Sequence, residues 1–156
     1  MYVRCTARRS TSTLDMMLNA VAVLVVATLT GLTLIHVYWG LGGRAVSAAA
    51  VPEVDGKRAF SPSPGSTLLV AACLLAAAYA VAITGHVISS PLAPFARWIT
   101  FALSLLFLAR AIGDFRLVGF FKRRDSSRSA RLDTTLYSPL CLVLSLATGY
   151  VAYDHV

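Results

Sequence analysis

Charge is scarce in this chain. Only 13% of its 156 residues are Asp, Glu, Lys or Arg, about half the share of an average soluble domain. Acidic residues are the scarcer sign, seven against fourteen basic. With 57% hydrophobic residues, the chain fits neither an ordinary soluble domain nor a disordered one. Cysteine is sparse too. Cys5, Cys73 and Cys141 are odd in number and none stands at CxxC spacing. Neither a disulfide framework nor a zinc site is indicated. HExxH, GxSxG, P-loop and dinucleotide fingerprints are missing, and no single span carries facing carboxylates. No metal and no cofactor is expected. The net charge of +7 comes without an aromatic-interleaved basic fold, so nucleic acid is not an expected partner.

What is abundant is uncharged apolar sequence, with a mean hydropathy of +0.71. No charge falls between Met16 and Gly43, between Ala59 and Ala96, or between Thr134 and Tyr153. A helix crosses a ~30 Å hydrocarbon core in about 20 residues. The runs therefore predict spans at about 16–38, 66–88, 95–116 and 134–153. The expected fold is all-α: an integral membrane protein with four transmembrane helices in an antiparallel bundle, one membrane domain over residues 16–156. Residues 1–15 read as a disordered basic extension. Ala48-Ala49-Ala50 resembles a signal-peptide cleavage site. The first apolar run is longer than a secretory h-region of about 7–15 residues, however, so it reads as an uncleaved span.

The longest connection, residues 40–65, holds Gly40-Leu41-Gly42-Gly43, Val51-Pro52 and Ser61-Pro62-Ser63-Pro64-Gly65. It predicts irregular backbone serving as a spacer or a lid. Ser89–Pro94 reads as a tight turn. Trp39, Trp98, Tyr150 and Tyr153 fall at span ends, as in an aromatic belt. Four spans put both termini and the 89–94 turn on one side, with Arg4, Arg8, Arg9 and Arg97; the other ten Lys and Arg lie on the loop side. By the positive-inside rule the 40–65 and 117–133 loops are cytoplasmic and the termini external, in an inner membrane.

Span arithmetic brings polar groups from three spans to the loop side. His36, Tyr38 and Trp39 close the first span. Arg110 falls about two-thirds across the third, with Asp114 and Arg116 at its loop-side boundary. Asp133, Tyr137, Ser138 and Cys141 open the fourth. A charge within a span is costly and normally faces the bundle interior with a partner. Asp114, four residues beyond Arg110, would share its helix face. Arg110 then reads as an anion or headgroup clamp, or as half of an ion pair that locks its helix. His36 reads as a proton-transfer group or ligand donor, or as an interfacial His bonded to Tyr137 or Asp114. The candidate ligand-binding set is His36, Tyr38, Trp39, Arg110, Asp114, Arg116, Asp133 and Tyr137. Gly119-Phe120-Phe121-Lys122-Arg123-Arg124 joins apolar wedges to positive charge. Lys122, Arg123 and Arg124 are therefore headgroup candidates for anionic lipid at the basic loop 117–133. Ser138, Cys141, Ser145, Thr148 and Ala152 form a small-residue stripe for helix packing.

Three functional readings follow. One is a binding protein for a lipid headgroup or small anionic amphiphile. A second is a membrane enzyme using His36 and Asp114 as an acid–base pair, with Tyr137 as donor, on a lipid or isoprenoid. A third is a small transporter or channel subunit, as a homo-oligomer. Four spans leave no room for a separate catalytic domain, and the reading leans away from an enzyme.

His36-Val37-Tyr38-Trp39-Gly40-Leu41-Gly42-Gly43 is one motif. Arg110-Ala111-Ile112-Gly113-Asp114-Phe115-Arg116, with Gly119-Phe120-Phe121-Lys122, is a second. Leu132-Asp133-Thr134, with Leu136-Tyr137-Ser138-Pro139-Leu140-Cys141, is a third. In this order they resemble the bacterial family catalogued as domain of unknown function 3995, over roughly residues 16–153. The resemblance implies a small four-span membrane protein and brings no activity with it. Residues 1–15 lie outside the family pattern.

Overall fold

The computed structural model describes residues 13–43, 53–54, 57–58, 62–113 and 128–153. Its elements are α1 (Thr13–Gly40), a ribbon of β1 (Glu53–Val54) and β2 (Lys57–Arg58), α2 (Pro64–Thr84), α3 (Ala93–Ile112), α4 (Arg128–Leu132), a π-helical turn (Asp133–Tyr137) and α5 (Ser138–Tyr153). Four stretches are long and apolar enough to cross a membrane: Asp15–Gly40, Pro64–Thr84, Ala93–Ile112 and Ala130–Tyr153. The protein is an all-α, multi-pass membrane bundle.

Each boundary has a local cause. Helix α1 begins at Thr13, so residues 13–15 are helical, and residues 1–12 lie outside the described ones. Its C-terminus is a Schellman motif: the Gly43 N–H bonds to the Tyr38 carbonyl at 2.9 Å and the Gly42 N–H to the Trp39 carbonyl at 3.1 Å. Gly42 takes φ +97 there, the left-handed position that favours glycine. At α2, the Ser63 hydroxyl caps the Ser66 N–H at 3.1 Å and Pro64 enters the first turn, where its missing N–H costs nothing. Helix α3 ends on Gly113, at φ 90 and ψ −175, a conformation essentially restricted to glycine. The third span therefore stops at Ile112, short of the expected Arg116. The long 40–65 connection, expected to be irregular, contains the two-stranded antiparallel ribbon, with Glu53 opposite Arg58 and Val54 opposite Lys57. Asp55-Gly56 between them is the sequence signal that marks such a hairpin.

The helices close into a ring. Packing is most extensive between α1 and α2 and between α3 and α5, while α2–α3 and α1–α5 complete the circuit. Neighbours run antiparallel. A Cβ on Gly40 would meet the Leu68 side chain, 2.7 Å away, near the start of α2. At the other end the Asn19 Nδ2 donates to the Gly85 carbonyl at 3.4 Å. The core is built from Leu18, Ala22, Val25 and Leu29 of α1, Ala77, Ala78 and Val81 of α2, and Leu144 and Val151 of α5. The bulky residues Leu24, Leu34, Leu69, Leu106 and Leu146 point outward and are well exposed. Large apolar groups outside and small or weakly polar groups inside suit a bundle solvated by lipid.

The buried Thr and Ser hydroxyls inside the bundle are satisfied across or along helices. The hydroxyls of Thr33, Thr84, Thr100 and Thr148 donate to carbonyls four residues earlier, and Thr84 and Thr100 meet at 3.0 Å between α2 and α3. Ser104 donates to the Ser145 carbonyl at 2.8 Å, and Ser145 returns the bond to the Ser104 carbonyl at 2.9 Å. Ser138, Ser145, Thr148 and Ala152 of the small-residue stripe are buried, and Cys141 is half-buried.

Candidate functional site

The distinctive polar contact joins α3 to the start of the fourth span. The Arg110 Nη2 donates to Asp133 Oδ1 at 2.7 Å. Asp133 is 4% exposed, and its other oxygen, Oδ2, accepts from the Ser138 hydroxyl at 3.4 Å. The guanidinium is only partly covered, with 36% of the Arg110 side chain accessible. Its Nη1, however, is buried and finds no hydrogen-bond acceptor among the described residues. One nitrogen is therefore tied to a carboxylate and another is held, shielded, with donors to spare.

Depth follows from the helix ends. Arg110 lies in the last turn of α3, so about 3 Å of helix separates it from Ile112. Asp133 is about 4.5 Å of helix from the start of its span at Ala130. Both charges sit near one end of the bundle, and Arg110 is nearer to it than the two-thirds depth expected. The difference arises because α3 starts at Ala93 and stops at Ile112, which moves Arg110 toward the helix end. Arg110 also falls at a favourable helix terminus, a cation in a last turn.

The π-helical turn Asp133–Tyr137 carries the carboxylate. The Ser138 N–H bonds to the Asp133 carbonyl, five residues back. Single π turns inside α-helices are frequent at functional sites. Here the wider turn follows directly on the acid that holds Arg110.

The other expected residues are placed as follows. His36 Nδ1 lies 2.8 Å from the Leu32 carbonyl of its own helix. In the neutral ring Nδ1 is then the donor and Nε2 the bare acceptor. The His36 ring meets the Trp39 ring edge-on, centroids 5.3 Å apart. Tyr38 lies over Gly43, where its ring occupies the space a Cβ would fill. These contacts account locally for the first sequence motif. His36 and Tyr137 make no hydrogen bond to Arg110 among the described residues. The partner of Arg110 is Asp133, twenty-three positions away. Asp114, Arg116, Lys122, Arg123 and Arg124 lie outside the described residues. Ser138, expected on the loop side with Asp133 and in the small-residue stripe but not in the candidate ligand set, bonds to the Asp133 carboxylate. Among the described residues no three His, Cys, Asp or Glu side chains gather as a metal site would need.

Over residues 29–148 the chain matches the family described as Protein of unknown function (DUF3995). The chain belongs to that family. No curated protein and no solved structure matches it. The DUF3995 region runs from the middle of α1 to near the end of α5 and contains His36, Arg110, Asp133 and Ser138.

Proposed function

We propose that this DUF3995 protein is a bacterial inner-membrane protein that holds the anionic head of a lipid or small amphiphile against Arg110 at its loop-side face. The observation that carries this reading is the Arg110 guanidinium, whose side chain is 36% accessible beside a buried Asp133 and whose Nη1 has no acceptor among the described residues. A buried donor left unsatisfied costs about 1–3 kcal/mol. Near an interface, lipid headgroups supply acceptors that the protein lacks. Asp133 is the positioning residue: it fixes the guanidinium through Nη2 and leaves the accessible part of the Arg110 side chain for the ligand. The 117–133 loop, with Lys122, Arg123, Arg124, Arg128 and Arg131, adds positive charge on the same side. With the 40–65 and 117–133 loops cytoplasmic, that charge faces the leaflet richest in anionic lipid.

The test is native mass spectrometry in gentle detergent. Wild type is expected to retain a defined lipid adduct, and Arg110→Gln to lose it. The double variant Arg110→Gln/Asp133→Asn removes both charges together and serves as the folded control, also without adduct. An adduct that persists in the folded double variant, or none on the wild type, overturns the reading.

A further inference from the structure

We propose that the lipid-facing groove between α1 and α2 binds a neutral, carbonyl-bearing prenyl lipid of the quinone type in the middle of the membrane. This site is separate from Arg110 and does not rest on the headgroup reading.

The groove encloses about 630 Å³, within the range of small-molecule sites. Val26 and Thr30 of α1 form one wall, and Ala72, Leu75, Ala76 and Tyr79 of α2 the other. Leu75 is 55% and Tyr79 50% exposed, so the groove opens outward to lipid. No charged residue lines it, which disfavours an ionic ligand. Its walls are apolar except for two hydroxyls, those of Thr30 and Tyr79, and neither makes a hydrogen bond among the described residues. The neighbouring threonines of α1 show the usual alternative: Thr28 and Thr33 donate to the carbonyls of Leu24 and Leu29. Thr30 leaves its hydroxyl for the groove.

Depth decides the ligand class. The close approach of Gly40 to Leu68 and of Gly85 to Ala22 fixes the antiparallel register of α1 and α2. That register sets Thr30 level with Ala77 and Ala78. Thr30 is ten residues from Gly40 and fifteen from Asp15, about 15 and 22 Å of helix, so it lies near midspan. Long helical side chains lean toward the N-terminus of their own helix, which carries the Tyr79 hydroxyl back toward the same level. Two hydroxyls thus share one groove at a depth below the charged headgroups. Acyl chains would fill the groove and leave both hydroxyls unpaired, at a cost. Both hydroxyls can donate, so the matching occupant carries acceptor oxygens. Ala72 and Ala76 leave room for a flat ring beside the Tyr79 ring. A prenyl quinone meets each condition: no charge, an apolar tail to lie along the groove, and ring carbonyls that reach the midplane.

The experiment titrates the full-length protein in detergent and reads bound ligand by native mass spectrometry. The probes are a prenyl benzoquinone and the prenylbenzene with the same tail, which lacks only the carbonyls. Wild type is expected to bind the quinone about tenfold more tightly than the prenylbenzene. Thr30→Val and Tyr79→Phe keep the shape of the groove, and each is expected to weaken the quinone by about three- to tenfold, the worth of one hydrogen bond. Neither should change the binding of prenylbenzene. Ala76→Leu fills the groove and is expected to abolish both. All three positions are on the groove surface, and unchanged helicity and Tm verify that the variants fold. Equal binding of the two probes by wild type overturns the proposal, as does full quinone affinity in Thr30→Val/Tyr79→Phe. A wild-type dimer that binds no quinone and that Ala76→Leu converts to a monomer would assign the groove to a second copy of the chain, and overturns it too. Arg110→Gln/Asp133→Asn is expected to retain quinone affinity even as it loses a headgroup adduct. Loss of the quinone in that folded variant would move the ligand to Arg110 and overturn the groove site.

Discussion

Arg110 and Asp133 are held by more than each other. Ser138 reaches the second carboxylate oxygen, and Arg110 occupies the helix end that its sign favours. Removing one member of such a pair strands the other. Arg110→Gln leaves a carboxylate that is 4% exposed without its cation, at a cost of about 3 kcal/mol. Asp133→Asn strands a guanidinium that is partly accessible and should cost less. The double variant should recover most of the loss, because neither charge remains. Unfolding of the four proteins in detergent, compared as a double-mutant cycle, measures this coupling. Additive losses would show that the two side chains do not stabilise each other.

At the scale of elements, the closest polar seam is between α3 and α5. The reciprocal bonds of Ser104 and Ser145 run to each other's carbonyls, which draws the two backbones together. A Cβ on Gly149 would come within 2.9 Å of the Ser104 hydroxyl, so the seam has no spare room. Interhelical hydrogen bonds in membranes contribute about 0.6 kcal/mol on average. Ser104→Ala/Ser145→Ala should therefore destabilise the bundle by about 1 kcal/mol, seen as a lower Tm in detergent with helicity unchanged. No change in Tm would make the seam a by-product of packing. The stripe on α5 was legible from its small residues at helical spacing. Its partner was not, because Ser104 comes from another helix, forty-one positions away.

For the whole molecule, the loop-side face is the end that carries the ion pair, the ribbon and the basic loop. The proposed orientation puts that end in the cytoplasm. In a background with Cys5, Cys73 and Cys141 replaced, Ser90→Cys in the short turn should react with a membrane-impermeant thiol reagent on intact cells. Lys57→Cys in the ribbon should react only after lysis. The reverse pattern would invert the orientation and place the Arg110 site in the outer leaflet.

The amino-acid sequence by itself determined the fold class and the family. Long runs without charge can satisfy their backbone in hydrocarbon only as helices, and four such runs of span length leave few arrangements. It also marked the loop-side ends of three helices as the place where polar groups accumulate. The tertiary structure decided which of those groups meet. It stopped α3 at Gly113, where backbone at φ 90 turns the chain out of the helix. It gave Arg110 a partner from the far side of a loop and tied His36 to its own helix. Sequence spacing reports neighbours along one helix. The choice of an ion-pair partner is made by packing between helices, where proximity and burial outweigh position in the chain.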